Sequence, residues 1–333
     1  MMELGAPASE APLHVETAER EPNRPPEIWR RPLAMGLDGL ILWGVGFPLG
    51  LLFFNPLSRL GPWGRLIGFL IALLYFGTLN SRIGGGQTIG KRILRIQVVQ
   101  STGLRLSLQR GILRFVVVGV PYFANGLALP VTRTPMAVTM TLSILVFVVG
   151  GAVIYLYLFN RVTRRSLHDL LVDSYVIRSR PGGIPAGQLW KGHLAILTGI
   201  LCVITLSTFV IEKTMGARLG LPELLKVLRA VETSRDVQAA SVFGGRFWGP
   251  KGSGEYFRVT ALLRERPQSL EDTSNRIASI VMRELPDIMS KDQLSVSVAY
   301  GFDIGIASAM RSMNTALSPQ EWAKRVSRLR MES

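Results

Sequence analysis

The chain has 333 residues, 48% of them hydrophobic and only 18% charged, with a formal net charge of +15. Soluble domains carry about 25% charged residues, so this composition excludes disorder throughout and argues against an ordinary soluble enzyme. One cysteine leaves no disulfide framework and no cysteine-based zinc site, and His14, His168 and His193 are too scattered for a histidine-rich metal centre.

Residues 1–32 are polar and rich in proline (Pro7, Pro12, Pro22, Pro25, Pro26), with no apolar core of a signal peptide. They read as a disordered cytoplasmic tail. Five apolar runs follow: 33–54, 64–79, 112–129, 137–159 and 194–211. Runs of about 18 residues or more at 1.5 Å rise match the hydrocarbon thickness of a bilayer. The expected fold is an α-helical multi-pass membrane bundle of about five transmembrane helices with a small C-terminal α+β exported domain. The expected units are a tail at 1–32, a four-span membrane domain at 33–180, a fifth transmembrane helix at 193–211 and a domain at 217–333.

Seventeen Lys and Arg lie in residues 1–32, 80–114 and 160–193, against Arg59, Arg65 and Arg133 in the alternate loops. The positive-inside rule then places the amino terminus in the cytoplasm. With five spans, the carboxyl-terminal domain lies outside a bacterial cytoplasmic (inner) membrane. The basic excess is assigned to topology and to anionic lipid headgroups. No nucleic-acid partner is expected, because no basic face on a soluble module is evident.

Several positions carry chemistry. Gly85-Gly86-Gln87-Thr88-Ile89-Gly90-Lys91-Arg92 matches the front of a P-loop, but Arg92 stands where Ser or Thr must bind Mg²⁺, so no nucleotide is expected there. The apolar and basic stretch 88–99 reads as an element lying in the headgroup layer. Asp38 sits about one and a half turns into the first span, at a cost of roughly 2.5–3.5 kcal/mol. It needs a cation or a proton, with Arg31, Arg110 and Arg114 as candidate ion-pair partners; a proton or ion relay and a structural pair both stay open. His168 and Asp169 follow the fourth span, and Asp173 would share a helical face with Asp169. Gly46-x-x-x-Gly50 and Gly64-x-x-x-Gly68 permit close helix approach.

The last 122 residues hold 18 Lys and Arg and 14 Asp and Glu, as a solvated domain does. Pro222 opens a helix, 256–263 reads as a strand, and Ser269-x-x-Asp272 caps a second helix. Strict alternation from Leu294 to Ile306 gives a long strand or a hairpin turning at Gly301 or Asp303. Ser318-Pro319-x-Glu321 opens a last helix. Without His or Cys this domain offers no nucleophile–base set, so no enzyme activity, cofactor or metal is expected.

Three pieces stand in order: Arg30-Arg31-Pro32-Leu33-Ala34 with Leu37-Asp38, Gly86-Gln87-Thr88-Ile89-Gly90-Lys91-Arg92 with Arg110 and Arg114, and Arg165-x-Leu167-His168-Asp169-Leu170-Leu171. Over about 28–178 the chain resembles the RDD family of bacterial multi-pass membrane proteins, named for one Arg and two Asp. The resemblance carries the Arg to Arg31 and the Asp pair to Asp38 and Asp169, with Gly86, Thr88, Gly90 and Lys91 as the loop motif. Asp173-Ser174 departs from the small residue and Thr often found there. The resemblance implies transport or ion handling. The alternative is a membrane-anchored assembly or interaction protein that meets an extracytoplasmic protein partner through its C-terminal domain, with self-association into a homo-oligomer left open.

Overall fold

The computed structural model describes residues 25–332, apart from 131, 180–186, 188, 216–220, 250 and 251. The tail to residue 24, Arg180 and the domain start at Ala217 lie outside the described residues.

Helix α1 (Arg30–Leu52) leads through α2 (Phe54–Leu60) and a 3-10 turn into α3 (Gly64–Leu79). A short α4 (Ile89–Ile93), β1 (Ile96–Gln100) and α5 (Leu108–Ala124) follow. Next come α6 (Met136–Ser143), a π segment (Ile144–Val149) and α7 (Gly150–Phe159), which run on as one rod. Then come α8 (Leu167–Leu171), β2 (Ser174–Arg178) and α9 (Gly192–Met215). Among the described residues, three helical stretches are long and apolar enough to cross a membrane: Arg30–Leu52, Phe54–Leu79 and Ala137–Phe159. Large side chains on them, such as Leu40, Leu74 and Phe147, face outward, as lipid-facing residues do.

The expected count of about five is therefore met in three cases by length and apolarity. The run at 112–129 is cut short because α5 ends at Ala124, with Gly126 at φ +74° turning the chain away. In α9 the described apolar stretch is Gly192–Ser207.

The stretch 88–99 is not a single interfacial element: Ile89 and Ile93 on α4 are exposed, while the apolar residues after them are covered by protein. Its second half is β1, paired antiparallel with β2 from Ile96–Arg178 to Gln100–Ser174. Ile96 and Val98 are covered by Ala34, Leu106, Val172 and Val176. Protein, not lipid, supplies the burial that these residues need.

The C-terminal domain contains α10 (Leu221–Glu232), β3 (Val237–Gly249), β4 (Gly252–Leu263), α11 (Leu270–Glu284), β5 (Gln293–Asp303), β6 (Ser308–Leu317) and α12 (Pro319–Glu332). The sheet order is β3-β4-β5-β6. Only β4 and β5 run parallel, joined over α11. Phe257, Val259 and Ala261 on β4 and Leu294, Val296 and Val298 on β5 face Val231, Ile277, Val281 and the fully buried Trp322. Trp322 donates its indole N–H to the Leu294 carbonyl at 2.8 Å. Ser269 accepts from the Asp272 amide at 3.1 Å, capping α11 as its spacing predicts. The alternating run from Leu294 resolves into β5 and a turn at 304–307. There Asp303 Oδ1 accepts from the Gly305 amide at 2.7 Å, and Gly305 takes φ +78°.

This turn docks on the helices. Phe302, Ile304 and Ala307 pack with Phe47, Phe54, Leu57 and Ile67. Gly50 lies under the Phe302 ring and Gly68 under the Ile304 carbonyl, so close that a Cβ at either would collide. The two Gly-x-x-x-Gly runs thus receive a β-hairpin rather than another helix. Arg65 at the start of α3 binds Asp303 Oδ2 at 2.7 Å.

Candidate functional site

The charged residues gather at the opposite end of α1. From Asp38 to Gly50 the helix rises about 18 Å, so the hairpin and the charges occupy two separate ends.

Asp169 is fully buried. Arg31 Nη2 reaches its Oδ2 at 2.5 Å, and Arg114 Nη2 reaches its Oδ1 at 2.6 Å. The Ser166 amide donates to Oδ2 at 3.2 Å and the Ser174 hydroxyl to Oδ1 at 3.2 Å. Ser166 and Asp169 form a capping box on α8, which is why a carboxylate belongs at this point of the helix. Ser166 also donates to the Val153 carbonyl at 2.6 Å, and Arg31 donates to the Arg164 carbonyl at 2.6 Å. One carboxylate thereby ties α1, α5, α8 and β2 together. Burial alone would raise its pKa, but Arg31 and Arg114 hold it well below the usual carboxylate range.

Asp38 is also buried, and neither Arg110 nor Arg114 meets it. Tyr75 Oη donates to Oδ1 at 2.7 Å, Thr88 Oγ1 to Oδ2 at 2.6 Å, and the Gly90 amide to Oδ1 at 2.8 Å. Arg31 and Arg114 are drawn to Asp169, and Arg110, one turn nearer the start of α5, donates to Gln100 Oε1 at 2.9 Å. The expected ion pair is replaced by three neutral donors, which satisfy a buried carboxylate without a second buried charge. The loop motif explains itself here. Thr88 caps α4 by accepting from the Lys91 amide at 3.3 Å. A P-loop leaves such amides for phosphate; here Gly90 spends its amide on Asp38. Gly86, at φ +72°, accepts from the Val98 amide at 2.8 Å and pins β1.

Lys91 is half-buried, and its ammonium donates to Asn80 Oδ1. Burial pushes it well below the usual lysine range, helped by Arg114. His168 stands beside Asp169 and Arg31, at 3.5 Å and 3.4 Å from Nε2. Burial, joined by the charges of Arg114, Arg31 and Lys91, pushes its pKa down to about 3, so the ring is neutral at pH 7. Its Nδ1 is buried with no hydrogen-bond partner. Asp173 does not share a face with Asp169, because α8 ends at Leu171 and Asp173 turns away at φ +49°. It meets Arg165 at 2.8 Å and the Ser101 hydroxyl.

Sequence reasoning missed Tyr75, Asn80 and Ser166, and met Ser174 only as a departure from the family pattern. A tyrosine hydroxyl and an asparagine in or beside an apolar span need partners, and that was the available signal. Among the described residues no group of three or more His, Cys, Asp or Glu could hold a metal ion.

The RDD family model matches residues 25–173. Protein YckC of Bacillus subtilis (strain 168), described as uncharacterized, is 30% identical over 159 residues, which cover 48% of this chain and 88% of that protein. No solved structure matches. The matched region holds the two buried carboxylates, Asp38 and Asp169, and Arg31, which pairs with Asp169, and the chain belongs to the RDD family.

Proposed function

We propose that this is a multi-pass protein of the bacterial cytoplasmic membrane that holds its C-terminal domain on the extracytoplasmic end of the helices and acts there on a protein partner. The observation that carries this reading is the 302–307 turn seated on α1 and α3 and pinned by Arg65 and Asp303. The basic loops lie at the other end, beside Asp169, and the positive-inside rule assigns that end to the cytoplasm. His193 at the start of α9 touches Tyr155 Oη at 3.1 Å. The 24 residues of α9 rise about 36 Å, enough to carry the chain across. In this reading the protein has no catalytic activity, and its two buried carboxylates are clamps rather than carriers. Each already accepts three or more hydrogen bonds.

The test combines topology with truncation. Reporters fused after residue 179 should read cytoplasmic, and those fused after 332 extracytoplasmic. A chain ending at 215 should still accumulate in the membrane but fail to complement a deletion strain. Full complementation by that chain would overturn the reading. A second reading, solute or ion transport, draws on the cleft beside Lys91. It predicts flux in vesicles that survives the same truncation.

A further inference from the structure

A cleft of about 280 Å³ lies beside the charge clusters, between α1, α5 and α7. Its polar end is formed by Arg31, Asp38, Lys91, Arg114 and His168, and its walls by Phe76, Phe115, Val118 and Val153. Met35, Ile154 and Leu158 on its lining are exposed, so it opens sideways where acyl chains lie. A second, apolar cleft of about 290 Å³ shares Met35, Phe76, Phe115 and Val118 with the first. It continues past Leu42 and ends on Ile306 of the docked hairpin. From Arg31 to Leu42 the helix rises about 16 Å, close to half of a hydrocarbon core of about 30 Å.

We infer that the two clefts form one groove that binds an anionic phospholipid of the cytoplasmic leaflet. Its headgroup sits at Lys91, Arg31 and His168, and an acyl chain runs along Val118 toward Ile306. The charge balance at the polar end favours an anion. Arg31, Lys91 and Arg114 stand against Asp38 and Asp169, an excess of one cation, and among the described residues no carboxylate lies within 4 Å of the Lys91 ammonium. His168 adds an independent sign. Nε2 stands 3.4 Å from Arg31 Nη2 and 3.5 Å from Asp169 Oδ1, while Nδ1 is a buried ring nitrogen with no hydrogen-bond partner. A headgroup phosphate or hydroxyl oxygen would supply that partner. A soluble anion would use the charges but leave the long apolar groove empty, which favours the lipid.

The test is native mass spectrometry of the full chain purified in a zwitterionic detergent. The probes are phosphatidylglycerol and phosphatidylcholine with the same acyl chains. The native chain should retain one phosphatidylglycerol with about tenfold preference, the size expected of one charge-assisted contact. Lys91→Gln keeps a partner for Asn80 and should erase that preference. Val118→Trp leaves the charges in place, blocks the junction of the clefts and should abolish retention of the single lipid. Thermal melts in lipid-free detergent confirm that both variants fold; Val118→Leu is the milder substitute should the tryptophan variant not fold. Equal retention of both lipids, or no change in either variant, overturns the proposal. So does displacement of the bound anion by inorganic phosphate with Val118→Trp unaffected, which would mark a soluble-anion site instead.

Discussion

The Gly90 amide donates to Asp38 Oδ1 at 2.8 Å, across 52 positions of sequence. A Cβ at Gly90 would collide with the Ala34 carbonyl and meet Asp38 Oδ1 at 3.0 Å, so α4 reaches α1 only because this residue has no side chain. Gly90→Ala should lower membrane abundance and the melting temperature of the purified protein. Asp38→Asn keeps the shape but turns one acceptor into a donor facing Thr88 or Gly90. A loss of about 1–3 kcal/mol is expected, read as a lower melting temperature. Tyr75→Phe should cost about 1 kcal/mol. Unchanged stability in all three would remove the clamp role.

Asp169 faces two guanidinium groups. Asp169→Asn leaves Arg31 and Arg114 buried without a counter-charge, and breaking a buried pair from one side costs about 3–5 kcal/mol. The variant should fail to accumulate in the membrane. Arg114→Lys gives up the paired contacts that the Nε and Nη2 groups make to Oδ1 and should lie between it and the native protein. Accumulation of Asp169→Asn at native levels would contradict the clamp.

The pH dependence follows from His168. Its folded pKa, about 3, lies below the unfolded value of 6.5. Below pH 6.5 the unfolded chain takes up a proton that the folded one refuses, so stability is lost as pH falls from 6.5 toward 3. At pH 5 this amounts to about 2 kcal/mol. Melting curves at pH 7 and pH 5 should differ accordingly, and His168→Gln should narrow the difference. Asp169 contributes in the same direction at lower pH, since its depressed pKa removes stability as pH falls below the usual carboxylate range.

The hairpin contact gives a mechanical prediction. Gly50→Leu puts a side chain where the Phe302 ring lies. Overpacking of this kind costs about 1–3 kcal/mol, and here undocking the turn relieves it. Limited proteolysis should then cut the C-terminal domain free faster, while the membrane unit keeps its melting temperature. Asp303→Ala should act in the same direction by leaving Arg65 without its carboxylate. Equal cleavage rates in both variants would show that the turn does not hold the domain.

Much was legible in the chain itself. Apolar length gave five spans, and three of the helices described are long and apolar enough to cross a bilayer, which demands about 20 apolar residues whatever surrounds them. Ser269 and Ser318 cap helices because a cap is a local exchange between one side chain and amides two or three residues on. The alternation through β5 is equally local. Other elements were not. β3 was missed because Ala239, Ala240, Gly244 and Gly245 lack the bulk that marks a strand, and pairing with β4 decides it instead. Asp38 was marked as buried and in need of partners, since its depth follows from helical rise alone. Its partners were decided by which elements arrive beside it: Tyr75 from α3 and Thr88 and Gly90 from α4, while Asp169 claims the arginines. The glycine runs, likewise, announce a close approach without naming the visitor. Local periodicity sets depth, face and caps, whereas pairing between distant segments depends on competition among all groups brought within a few ångströms, and only the tertiary structure decides that.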